Sequence, residues 1–266
     1  MARSFYKPLR RAGCGKGRSS SLGVRGAVRD SLNIWFVRLA EVMDRRNLKG
    51  GGPNTHLAQQ SRALGFGKRL SLFPPVGGVD STGQNSTPSG GVLRAMGGDL
   101  DLFHPKMGAP MQRLSQNSFG QGVRATPLQM ARVAAMAASG RLVRPTLLSA
   151  WEGVRIAGFD APSLNLDPAL FDRLRQGMKA VPEAGTAAGA FSTENPRDRC
   201  RTFGKTGTAQ SLEKPKLYSG WFIGWRDDKQ HRPDIAFSCV LTHSVNGTGG
   251  DLCGRTVARI LKQWER

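Results

Sequence analysis

Apolar positions recur with a helical period in four stretches of the chain, and a fifth region near its end reads as strands. From Ser31, the residues Trp35, Leu39 and Val42 stand at i, i+4 and i+7 while Arg38 and Glu41 fall elsewhere. This predicts a helix opening near Ser31 whose apolar side packs hard into a core. Thr126-Pro127-Leu128-Gln129 predicts a second helix, with Thr126 as N-cap, Pro127 at the first helical position, Gln129 completing a capping box, and Gly140 as the stop. A third is expected from Asp167-Pro168, with Leu170, Phe171, Leu174 and Met178 on one face, ending before Pro182 to Gly185. Residues 203–210, 218–225 and 235–241 then read as three strands joined by polar turns, an antiparallel meander. Val257, Ile260, Leu261 and Trp264 return to the helical period and predict a last helix over one sheet face. Residues 1–24, rich in Arg, Gly and Ser, are expected to be irregular, and 72–100, punctuated by Pro and Gly pairs, to be a long surface loop. Helices, then sheet, then helix, without strand–helix alternation, gives an α+β domain in which helices cover an antiparallel sheet.

Composition adds bounds. With 266 residues, 39% of them hydrophobic, the chain can bury a real core, which excludes a peptide hormone or a wholly disordered tail. A formal net charge of +20 raises the question of a polyanionic partner. The Arg and Lys residues are scattered, however; the densest cluster is Arg10, Arg11, Lys16 and Arg18, and no aromatic interleaving or zinc-finger spacing accompanies it. Nucleic acid is therefore not an expected partner. Cys14, Cys200, Cys239 and Cys253 make no C-x-x-C pair and read as small buried hydrophobes or free thiols. His56, His104, His231 and His243 lie too far apart in sequence to indicate a metal site. The basic start Met1 to Lys7 is followed by no apolar segment, so no targeting signal is read in this chain.

The chemistry concentrates in the strand region. Gly204-Lys205-Thr206 is not a phosphate-binding loop, because Arg199 stands where that motif needs a glycine and a strand follows instead of a helix. Lys205-Thr206-Gly207-Thr208 on an edge strand offers one cation and two hydroxyls to a carboxylate, and Gly207 lets a ligand backbone approach. Alone this pattern is weak, and Ser31 by itself could be an ordinary helix N-cap. The ordered series carries more weight. Ser31-Leu32-Asn33 comes first, then Gly120-Gln121-Gly122 leading into Thr126-Pro127-Leu128-Gln129-Met130-Ala131. Gly185-Thr186-Ala187, Gly204 to Gln210 and Gly220-Trp221-Phe222-Ile223-Gly224 follow.

That series resembles the transpeptidase domain of penicillin-binding proteins, most nearly the class B, elongation-type branch, over residues 25–266, with 1–24 as a basic N-terminal segment. The resemblance implies the serine β-lactamase and penicillin-binding transpeptidase-like fold. It also implies serine acyl transfer on D-Ala-D-Ala stem peptides, with β-lactams as ligands. Of the family's S-x-x-K, S-x-N and K-T-G elements, Ser31-Leu32-Asn33 matches the second and Lys205-Thr206-Gly207 the third. By resemblance Ser31 relays a proton, Asn33 holds the substrate amide and Lys205 supplies positive potential. Thr206 and Thr208 bind the terminal carboxylate, Gly207 admits the substrate strand, and the Thr208 N–H forms half of an oxyanion hole. The resemblance further implies no cofactor, no metal, the cell-elongation machinery as partner, a periplasmic location at the inner membrane, and membrane contact only through an N-terminal anchor.

The chain departs from the family at the nucleophile. S-x-x-K is expected roughly fifty residues before S-x-N, and only 30 residues precede Ser31. The one match before Ser31, Ser4-Phe5-Tyr6-Lys7, stands too close to Ser31 to leave room for a helix and a return path. It runs into Arg-Arg-Ala-Gly-Cys-Gly-Lys-Gly, which forms no buried apolar helix, and at a terminus it lacks the packing that preorganises a nucleophile. The expectation is an N-terminally incomplete domain without its nucleophile, marginally stable and prone to association along its last strand. A non-catalytic remnant or pseudoenzyme that only binds stem peptide or β-lactam is the first alternative, and a basic nucleic-acid-binding module the second.

Overall fold

Three long strands organise the molecule. In the computed structural model, which describes residues 23–44, 56–67, 70–72, 94–95, 99–100, 110–121, 123–147, 150–151, 154–155, 161–210, 217–245 and 249–264, the elements run in this order. They are α1 (Val24–Arg29), α2 (Asn33–Asp44), α3 (His56–Ala63), β1 (Leu70–Ser71), β2 (Arg94–Ala95), β3 (Asp99–Leu100), α4 (Pro110–Ser118), β4 (Val123–Arg124), α5 (Pro127–Ser139), β5 (Ala150–Trp151), β6 (Val154–Arg155), α6 (Pro168–Ala184), α7 (Pro196–Arg199), β7 (Thr202–Gln210), β8 (Tyr218–Asp227), β9 (Pro233–Ser244) and α8 (Leu252–Trp264). The meander β7-β8-β9 is antiparallel, with Lys205 opposite Ile223, and Phe222 opposite Cys239. Helices α5, α6 and α8 pack on it.

The core grows from the alternation within these strands. Phe203 stacks on Trp225 at 4.4 Å between centroids, and Phe222 sits 5.6 Å from Phe191 and 5.5 Å from Phe237. Trp225, Phe191 and Phe222 are fully buried, and aromatic pairs of this kind add to the gain from burial itself. The Arg175 guanidinium lies 5.4 Å from the Phe203 ring and 5.3 Å from the Trp225 ring, tying α6 to β7 and β8.

Helix α5 forms where its caps demand. The Thr126 hydroxyl accepts from the Gln129 N–H at 3.2 Å, Pro127 opens the helix, and Gly140 ends it at φ 68°. The reciprocal half of the capping box is absent, because the Gln129 amide instead donates to Leu64 O at 3.5 Å. Thr126→Ala is expected to cost about 1 kcal/mol in urea unfolding, and an unchanged midpoint would show the cap to be idle.

Several expectations need correction. Helix α2 does not bury its Leu39 and Val42 side, which stay 42% and 68% exposed. Its inward side is set by Asp44, whose buried carboxylate accepts from His56 N at 2.5 Å and Leu57 N at 3.4 Å and so starts α3. Only Phe36 leans on the main core, and Trp35 packs edge-on against it. Val24 begins a helix instead of ending an irregular segment; residues 1–22 lie outside the described residues. Much of 72–100 does too, but at its ends Arg94–Ala95 pairs with Leu70–Ser71, and Asp99–Leu100 with Val123–Arg124. Helix α6 continues through Pro182 to Ala184, because a proline in the last turn forfeits one hydrogen bond while Gly185 N still bonds to Val181 O. Leu170 is 52% exposed. On α8 the inner stripe is Cys253, Val257 and Leu261, while Ile260 and Trp264 face outward. The free cysteines Cys200, Cys239 and Cys253 match expectation. Burial and the neighbouring Cys239 thiol push the Cys253 thiol up to about 12. Cys14 lies outside the described residues.

Candidate active site

Helix α1 places the first functional residue through its C-terminal cap. Leu32 N donates to Ala27 O at 3.0 Å and Ser31 N to Val28 O at 3.4 Å, the two bonds of a Schellman motif with Ser31 at the left-handed position, φ 53°. Glycine is the usual occupant there, and a serine is strained by roughly 1 kcal/mol. Ser31 is therefore not the N-cap of α2. It belongs to the end of the preceding helix, and Asn33 opens α2 as an exposed residue. Ala27 and Val28 hold α1 in place, buried against α6, where a Cβ on Gly177 would stand 2.9 Å from Val28 Cβ.

This anchoring brings the turn to β7. Lys205 Nζ donates to Ser31 Oγ at 2.6 Å across 174 positions, and to Thr206 O at 2.8 Å. Burial pushes the Lys205 ammonium down to about 8. The nearest charges on the turn, Arg29 and Asp30, pair with each other at 2.7 Å.

The alternation of β7 sends Lys205 to one face and Thr206 and Thr208 to the other. Thr206 is buried, and its hydroxyl lies 2.6 Å from the Thr186 hydroxyl. Thr208 is exposed, and its Oγ1 accepts from Gly249 N at 3.3 Å. Among the described residues β7 pairs as a strand only with β8, and its Thr206 O and Gln210 O accept from the Lys205 and Gln121 side chains. Gln121 of the Gly-Gln-Gly segment donates to Gln210 O at 3.1 Å, at the far end of β7.

The structure thus brings Ser31 to Lys205, with Thr206 and Thr208 on the other face of β7 and Asn33, two residues after Ser31, at the start of α2. Two contributors were not singled out as site residues. Thr186 lies in the Gly185-Thr186-Ala187 step, and its N–H donates to Arg29 O at 3.3 Å, joining α1 to β7. Gly249 is pressed against β7 and β8 so closely that a Cβ would stand 2.3 Å from Gly207 O and 2.2 Å from Trp221 O. The Gly249-Gly250 pair before the last helix was its only sequence signal. Ser4 and Lys7 lie outside the described residues.

The fold has known counterparts. A chain from a peptidoglycan synthase complex, described for its coordination of polymerization and crosslinking, superposes with a TM-score of 0.60 at 24% identity, over 90% of this chain and 36% of its own. PBP2 of Helicobacter pylori, in complex with MreC, gives a TM-score of 0.60 at 19% identity, over 92% and 40%. Penicillin-binding protein A of Mycobacterium tuberculosis, a ceftriaxone acyl-enzyme, gives 0.59 at 21% identity, over 90% and 47%. The chain therefore spans less than half the length of each, and the likeness is one of fold. No curated protein matches it by sequence. The model of the penicillin binding protein transpeptidase domain matches residues 12–262, and the chain belongs to that family.

Proposed function

We propose that residues 25–266 form the S-x-N and K-T-G part of a penicillin-binding D,D-transpeptidase domain of the class B, elongation type, with no S-x-x-K element among the described residues. Stem peptides ending in D-Ala-D-Ala, and β-lactams, bind between the α1–α2 turn and the edge of β7 away from β8. The observation that carries this is the Lys205–Ser31 bond, which joins the S-x-N and K-T-G elements at 2.6 Å. A peptide lying along the β7 edge as an added strand meets Lys205 on one face and the two threonines on the other. Ser31 relays protons, Asn33 holds the substrate amide, Lys205 supplies positive potential, and the Thr206 and Thr208 hydroxyls receive the terminal carboxylate through charge-assisted bonds. The Thr208 N–H serves the developing oxyanion. The periplasmic side of the inner membrane is where such a substrate occurs, with the elongation machinery as partner; the H. pylori relative is itself complexed with MreC. Among the described residues no helix is long and apolar enough to cross a membrane.

The test is thermal unfolding with benzylpenicillin and with a D-Ala-D-Ala peptide. At a hundredfold excess over Kd each is expected to stabilise by about 2.7 kcal/mol, a Tm rise of several degrees. Thr208→Val should lose most of that rise and Thr208→Ser should keep it. No rise with either ligand overturns the reading.

A further inference from the structure

We propose that Cys239 and Cys253 form a redox pair, which a disulfide oxidant joins into a bridge that clamps α8 to β9 and with it the glycine segment behind Thr208. Neither cysteine belongs to the cleft beside β7. Where the bridge bears on ligand binding, it rests on the cleft reading given above.

The fold brings the two cysteines together from different elements. Phe222 on β8 is fully buried and stands opposite Cys239 on β9, so the Cys239 side chain shares the sheet face that Phe222 turns to the core. Helix α8 covers that face with Cys253, Val257 and Leu261. Cys253 Sγ donates to Gly220 O at 3.1 Å, two residues along β8 from Phe222. There it is in hydrogen-bond contact with the Cys239 thiol. Disulfides form only between cysteines that face each other closely. Cys200, by contrast, is exposed at the C-cap of α7.

Burial sets the order in which the pair reacts. Cys253 is 1% exposed. Cys239 is half-buried on a strand that, among the described residues, pairs only with β8. An oxidant therefore reaches Cys239 first. Cys253, its thiol held up at about 12 by burial and by Cys239, follows as the slower partner.

The step balances with glutathione disulfide as the oxidant. The Cys239 thiolate attacks one glutathione sulfur and the other glutathione leaves; Cys253 Sγ then attacks Cys239 Sγ, the mixed disulfide breaks, and the second glutathione leaves. The protein gives up two protons and two electrons, and the oxidant takes both as two thiols. The bridge closes a loop of about 15 residues, long enough to stabilise the fold by restricting the unfolded chain. Such bridges persist in oxidising compartments, of which the periplasm is one.

The bridge reaches the cleft through the first turn of α8. Gly254 N donates to Gly249 O at 3.1 Å, and Gly249 N donates to Thr208 Oγ1 at 3.3 Å. Fixing Cys253 therefore steadies Gly249, and Gly249 holds Thr208.

The experiment reduces the full chain with a phosphine, removes the phosphine, and incubates the chain with glutathione disulfide at mildly alkaline pH. Digestion without reduction maps the products, while Tm and amide hydrogen exchange are followed in parallel. The expected result is a peptide pair joined through Cys239 and Cys253, two hydrogens lighter than its parts. With it come a Tm rise of about 5–10 °C that the phosphine reverses and slower exchange at the Gly254 amide. Cys253→Ala should fold, take up one glutathione on Cys239 and show no such rise. Absence of the bridge, or a bridge through Cys14 or Cys200 instead, overturns the proposal. So does a Cys239–Cys253 bridge that leaves Tm unchanged or lowers it, since the native fold then strains the bond. Unchanged exchange at Gly254 overturns the link to the cleft. The benzylpenicillin shift of the reduced chain involves no bridge, so its absence overturns the cleft reading alone.

Discussion

Lys205→Met is expected to be more stable than the parent near pH 7, and its advantage should shrink as pH rises from about 8 to 10.5. The ammonium has a pKa of about 8 in the folded state against an ordinary 10.5, with burial as the cause. Between these values the unfolded chain holds a proton that the folded one has released, so the parent's stability climbs with pH in that window. Below it the parent bears the whole cost of a buried charge, on the order of 3 kcal/mol. Methionine fills similar space without the charge and forfeits the bonds to Ser31 Oγ and Thr206 O, a loss that depends little on pH. The pH dependence of the difference is therefore the signature. Urea unfolding of both proteins across the window measures it, and a difference flat with pH would show that the Lys205 charge is solvated in the fold. The same variant should lose ligand-induced stabilisation.

Glu194→Ala is expected to destabilise by about 3–5 kcal/mol, with no loss of the site's chemistry beyond what unfolding explains. Arg226 on β8 is 2% exposed, donates to both Glu194 oxygens at 2.8 and 2.9 Å, and donates through Nε to the Thr202 hydroxyl at 2.9 Å. Removing the carboxylate strands a buried guanidinium. The paired change Glu194→Leu with Arg226→Met should recover most of the loss, because a buried ion pair is worth little more than apolar groups of similar volume. If the single change costs under 1 kcal/mol in urea unfolding, Arg226 finds water once its partner is gone.

What could be read from the chain, and what could not, divides by the range of the interaction. The caps of α5 were legible because Thr126, Pro127 and Gly140 act within a few residues of themselves. The meander was legible for the same reason, its strands being bounded by polar turns. Ser31 and Lys205 were found as members of an ordered series, yet the conformation of Ser31 carried no signal, since the left-handed cap it occupies is ordinarily marked by glycine. The inward side of α2 was misread because periodicity finds a helix face without saying what it meets. Asp44, by starting α3, decides which side turns in. Thr186, Gly249 and the Glu194–Arg226 pair depend on neighbours 20 to 157 positions away that only the completed fold supplies.

The separation of Ser31 from Lys205 also bears on how the protein acquires its site. A contact across 174 positions closes one of the longest loops the chain can make, and such closures cost entropy before any other contact rewards them. The sheet and α5 can form from nearer neighbours while the two halves of the site stay apart. A ligand that grips both halves therefore gains nothing from partly folded forms. Its binding reports completed chains alone, and its return during refolding should track the slowest native phase.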